Sequence, residues 1–140
     1  MRVVLDTNVF VSAVFFGGVP GKILNMWREG CIDLLLTAEI LAEYEDIVHR
    51  LHRCYPNVDP EPIVGLVVRH GVFVEAGSLG QPVSADREDD MFLAAAVAGA
   101  TRIVISGDKH LLEVSGYRQI EVLTPAQFIQ RYGSEPSDTG

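Results

Sequence analysis

The sequence predicts an α/β fold: a mainly parallel sheet with helices on both faces, in one domain. Three observations carry that reading. Short apolar runs such as Val3-Val4-Leu5 and Ile103-Val104-Ile105 alternate with longer stretches of helical spacing, and that alternation calls for parallel strands joined by helices. The first run is short and uniformly apolar, like a strand buried on both faces. Two of the runs lead into acids, Asp6 after the first and Asp108 after Ser106-Gly107. In open α/β sheets the ligand crevice lies outside the carboxyl ends of the strands. Both acids therefore stand where chemistry would be placed, although Asp6 and Asn8 are also ordinary helix-capping residues.

Composition narrows the class. A chain of 140 residues suits a single domain with a real core, set here at residues 1–132, with 133–140 having the composition of a mobile tail. A hydrophobic content of 48% excludes a disordered chain. No apolar run approaches the roughly 20 residues of a membrane span. Met1-Arg2-Val3-Val4 passes into a strand without signal-peptide architecture, so a cytoplasmic, reducing setting is expected. Cys31 and Cys54 form no CxxC pair and are expected to be small buried residues. The net charge of -8 argues against a broad basic surface that holds nucleic acid by counterion release. It is compatible with a nuclease that brings its own divalent cation, because the cation neutralises part of the acid cluster.

In chain order, Val9 to Phe15 begins a short helix. Phe16 to Lys22 reads as a flexible turn. It is not a phosphate-binding P-loop, since Phe16 replaces the first glycine and Ile23 follows the lysine. Pro20 opens and Gly30 ends the next helix, with Ile23, Leu24 and Trp27 facing the core. Asp33 to Leu36 is the second strand. Thr37 caps a long helix from Ala38 to about Arg53. Asp59-Pro60 opens another, ending near Gly71, and Val72-Phe73-Val74 is the third strand. A Gly, Ser and Pro-rich loop follows from Ala76 to Ala85. A helix from about Asp86 to Ala98 comes next, then a strand within Arg102–Ser106, a short helix over Lys109–Val114 and a last strand at Ile120–Leu123. Thr124 and Pro125 start the final helix.

Further acids join the two at the strand ends. Two carboxylates held ~4 Å apart repel by roughly 4 kcal/mol at an effective dielectric of 20, so a proton or a cation must offset them. Glu43 lies on the flank of the apolar arc of its helix, about 40° outside it at 100° per residue. Glu45 flanks the other side. In Asp86-Arg87-Glu88-Asp89-Asp90, acids in a first helical turn complement the helix dipole. On a helical wheel, however, Asp89 points into the arc of Phe92, Leu93 and Ala96, and Asp90 sits beside Val97. Asp90 is preferred, with Asp89 the alternative.

Leu5-Asp6-Thr7-Asn8, Glu43 in the second major helix, Asp89-Asp90 before Phe92-Leu93-Ala94-Ala95-Ala96, and Ser106-Gly107-Asp108 together resemble the motifs of PIN-domain nucleases. In order and spacing they are most similar to the VapC-type toxins of toxin–antitoxin systems. The resemblance runs from Arg2 to about Tyr132. It implies a Rossmann-like α/β/α sandwich and a ribonuclease that uses clustered acids to hold Mg²⁺ or Mn²⁺ and cut RNA. Carried over by position, the acids are Asp6, Glu43, Asp90 and Asp108, with Asp89 as a further candidate metal ligand. Asn8 and Ser106 would orient ligands or a bound water. Hard cations suit oxygen ligands, and a divalent ion makes water a better nucleophile toward a phosphodiester. The resemblance also implies a cognate antitoxin and a homodimer, with apolar surface near Phe15, Phe16 and Trp27 as the expected contact.

Other readings are weaker. A strand ending in Asp6 suggests an aspartate-nucleophile phosphatase of the haloacid dehalogenase type, but Asn8 stands where its second acid is needed. A catalytically silent module that docks RNA or protein is the remaining alternative. His49, His52 and Cys54 lack a fourth ligand for zinc.

Overall fold

The structure is a computed structural model, and it describes residues 1–133; of the tail expected over 133–140, Gly133 caps the last helix and 134–140 lie outside the described residues. In order the elements are β1 (Arg2–Leu5), α1 (Thr7–Phe16), α2 (Gly18–Arg28), β2 (Asp33–Leu36), α3 (Ala38–Cys54), α4 (Glu61–His70) and β3 (Val72–Phe73). They continue with a 3₁₀ turn (Arg87–Asp89), α5 (Asp90–Ala98), β4 (Ile103–Ile105), α6 (Lys109–Leu112), β5 (Glu121–Leu123) and α7 (Pro125–Tyr132). The strands form one sheet in the order β3-β2-β1-β4-β5. Every pairing is parallel, with Val4 opposite Val104 and Leu5 opposite Ile105 at the centre.

Successive side chains of a strand point to opposite faces. Val3, Val4 and Leu5 are nonetheless all buried, so the sheet is covered on both sides, as an all-parallel sheet requires. Helix α5 packs across β1, β2 and β4. Its approach is close at Gly99, where a Cβ would lie 2.3 Å from Leu35 Cδ2, so only glycine fits there without movement. The long helix α3 starts on Thr37, whose hydroxyl accepts the Ile40 amide proton at 3.1 Å. It buries Ile40, Tyr44 and Val48. The last helix starts on a capping box, in which the Thr124 hydroxyl accepts from the Gln127 amide while the Gln127 side chain accepts from the Thr124 amide.

The strand order places a topological switch between β1 and β4. The chain leaves β1 toward β2 on one side, while β4 pairs on the other. The crevice at that switch opens at the carboxyl ends of β1 and β4, where Asp6 and Ser106-Gly107-Asp108 lie.

Three expectations are corrected. The stretch Phe16–Lys22 is not a turn: α1 stops at Phe16 and α2 already begins at Gly18. Gly17, at φ 69°, supplies the left-handed break. Burial of Ile23, Leu24 and Trp27 outweighs the poor helix propensity of Gly18 and Gly21. Cys31 and Cys54 are exposed rather than buried, because one lies in the turn after Gly30 and the other at the last residue of α3. The helix expected from Asp86 begins as a 3₁₀ turn and becomes α-helical only at Asp90. No single helix among the described residues is long and apolar enough to cross a membrane.

Candidate active site

Asp6 is where the site begins. It ends β1 and caps α1 at once: one carboxylate oxygen accepts the Val9 amide proton at 2.9 Å, and the other accepts the Ser106 hydroxyl proton. Capping and chemistry are therefore not alternatives at this residue. Ser106, fully buried, follows β4 directly. Its oxygen also accepts the Asp108 amide proton at 2.9 Å. Asp108 in turn caps α6 by accepting from the His110 amide at 2.8 Å. A single relay thus runs from the backbone of Asp108 through Ser106 to the Asp6 carboxylate, locking the ends of the two central strands together.

Asp6 and Asp108 open onto a cavity of about 160 Å³, which is also lined by Asn8, Glu43, Asp86, Glu88 and Asp89. Glu43 comes from α3; Asp86, Glu88 and Asp89 come from the turn that precedes α5. Six carboxylates, and no lysine or arginine among the side chains described, appear in that lining. Thr7, Ile47 and Phe92 complete the wall, and the Thr7 hydroxyl is buried without a hydrogen-bond partner. One Asp89 carboxylate oxygen is buried and unpartnered as well.

The electrostatics follow from this crowding. Burial raises the pKa of Asp6, and the charge of Asp108 adds to the rise. The bonds from Ser106 and from the Val9 and Asn8 amides oppose it. Asp89 is pushed up to about 7, first by burial and then by the neighbouring Asp108 carboxylate, with smaller contributions from the charges of Asp86 and Asp6. Unneutralised, the cavity holds a proton that an isolated aspartate would have lost.

Asp90, the preferred acid of its pair, stands elsewhere. Its carboxylate accepts the amide protons of Val83 and Ser84 at 2.9 and 2.8 Å. It lines a separate cavity of about 390 Å³ against the loop of Gly77 to Pro82. Of the pair, the structure places Asp89, not Asp90, against the acid cavity. A wheel at 100° per residue already aims Asp89 at the arc of Phe92, and in the structure Asp89, at the end of the 3₁₀ turn over Arg87–Asp89, lines the cavity together with Phe92. Thr7 and Glu88 escaped the sequence reading altogether. The only signals for them were adjacency to Asp6 in one case and the acidic run itself in the other.

A divalent cation with oxygen ligands fits these residues. The donors are carboxylates and hydroxyls, which hard cations prefer, and an unpartnered buried carboxylate oxygen is costly unless something satisfies it. Among the described residues, no three His, Cys, Asp or Glu side chains form a closed ligand group.

Of the residues expected at the dimer or inhibitor contact, Phe15 and Trp27 are buried and only Phe16 is exposed. Phe16 meets exposed Tyr55 edge to face at 5.1 Å.

Comparison with known proteins adds two findings. A family model described as PIN domain matches residues 2–110. An uncharacterized protein of Methanocaldococcus jannaschii is 27% identical over 143 residues, covering 94% of this chain and 92% of the relative.

Proposed function

The chain belongs to the PIN domain family, a family of nucleases in general, and on that premise we propose that its acid cavity is the centre of a metal-dependent endoribonuclease. The observation that carries the proposal is the convergence of six carboxylates from separate elements on one cavity. Asp6, Asp89 and Asp108 would hold Mg²⁺ or Mn²⁺, with Glu43 completing the set or orienting a water. When bound, the cation would supply charge neutralisation and an activated water for attack on the phosphodiester.

The chain's own residues do the rest. Ser106 fixes the rotamer of Asp6 through its hydroxyl. It ties Asp108 to the same point through the Asp108 amide. Asn8, exposed at the first turn of α1 and lining the cavity, would orient substrate or water. The net charge of -8 opposes an RNA backbone at long range, so contact with phosphate depends on the cation rather than on a basic face.

The motif order supports a finer reading: the toxin of a toxin–antitoxin pair, held in check by an antitoxin protein and acting as a homodimer. The exposed Phe16 and Tyr55 pair supports an apolar contact surface for one of these partners. Purified protein is expected to cleave single-stranded RNA with Mn²⁺ or Mg²⁺ and to stop when EDTA is added. Cleavage that persists in EDTA, in a preparation free of other nucleases, contradicts the proposal.

A further inference from the structure

We infer that Tyr44 is a positioning residue for the acid cavity: its hydroxyl, bonded to the Leu5 carbonyl, sets where Glu43 stands relative to Asp6. The inference rests on the reading of the cavity as a divalent-metal site.

Tyr44 is fully buried on α3. Its ring stacks on Phe10 of α1, with centroids 4.3 Å apart and planes 8° from parallel. Its hydroxyl donates to the Leu5 carbonyl at 2.5 Å, across 39 positions of chain. Leu5 is the last residue of β1 and Asp6 follows it. Glu43 precedes Tyr44 and lines the same cavity as Asp6. Among the described residues no other side-chain hydrogen bond joins α3 to β1. The two carboxylates therefore sit one residue away from either end of a single buried cross-link.

Packing alone does not ask for this hydroxyl. Phenylalanine would keep the stack and bury no polar group, and a buried hydroxyl is costly unless bonded. What the oxygen adds is direction. An aromatic stack tolerates sliding along its face, whereas a hydrogen bond weakens steeply with misalignment. The hydroxyl is also a dependable donor, since burial and then the Asp6 charge hold its pKa well above that of free tyrosine. A rigid helix transmits the constraint to Glu43 next door.

The experiment is a double-mutant cycle read by Mn²⁺ affinity in calorimetry at 10 °C, with folding checked by circular dichroism. Tyr44→Phe keeps the ring and is expected to weaken Mn²⁺ binding about tenfold, the scale of lost outer-shell support in metal sites. In a Glu43→Gln background the same change is expected to cost little, because the residue that Tyr44 positions is already disabled. Additive losses, or wild-type affinity in Tyr44→Phe with a lowered melting temperature, would make the hydroxyl a purely structural bond and overturn the inference alone. Absence of saturable Mn²⁺ binding by the wild-type protein overturns the metal reading and the inference together.

Discussion

Asp6→Asn is expected to reduce RNA cleavage more than ~100-fold while leaving the protein folded. Loss of a residue that only supports a ligand already costs ~10–100-fold in metal sites, and Asp6 is proposed as a direct ligand. The fold should survive because asparagine is as good a helix cap as aspartate and can still accept the Val9 amide that Asp6 accepts now. The Ser106 hydroxyl, which donates to Asp6, can rotate to accept from the new amide instead. What disappears is the negative charge at the end of β1. Cleavage assays in saturating Mn²⁺, with melting curves alongside, separate the two effects. Near-wild-type cleavage by folded Asp6→Asn would remove Asp6 from the active site.

The second large effect is on stability without metal. Asp89 releases its proton at about 7 in the folded protein, against 3.8 for an unperturbed aspartate. Between those values the folded state binds more protons than the unfolded chain, so unfolding becomes easier as pH rises. The contribution of Asp89 to stability is fully present below about pH 4 and is lost by about pH 7. Asp6, raised in the same direction, adds to the slope. In EDTA the melting temperature is therefore expected to fall from pH 5 to pH 8, and the fall should be smaller in Asp89→Asn. Partial exposure of Asp89 lets solvent screen the site and reduces the total stability lost across that range. Added Mn²⁺ should raise the wild-type melting temperature more at pH 8 than at pH 5, because protons compete with the cation for the carboxylates and stabilisation grows with the logarithm of ligand affinity. A wild-type slope no steeper than that of Asp89→Asn would contradict the assignment.

These expectations draw on a site that was partly legible in the residues. Apolar runs ending in Asp6 and Asp108 marked the strand ends, and a parallel sheet brings such ends to one rim. Glu43 was legible as a flank position, but a helical wheel could not choose it over Glu45. That choice is made by the way α3 packs against α1 and α5. The turn around Asp89 was not legible, because a 3₁₀ segment and an α-helix share the same composition while differing in angle per residue. The break at Gly17 failed for a related reason: a single glycine ends one helix, and tertiary burial of Trp27 carries the next through sequence that locally favours a loop. The exposed cysteines show residue-type preference losing to position, since Cys54 ends a helix and Cys31 follows a turn.

Asp90 holds a loop. With both oxygens on the Val83 and Ser84 amides, it anchors the segment that leads into Asp86. Ser84 continues the chain of contacts, since its hydroxyl oxygen accepts the Asp86 amide proton at 3.3 Å.

Calorimetric titration of Mn²⁺ into chelator-stripped protein at pH 7.5 tests most directly whether remote acids share one ion. Saturable binding by the wild-type protein, lost in both Asp6→Asn and Asp89→Asn, is the predicted result. No saturable binding, or undiminished affinity in both variants, would contradict it.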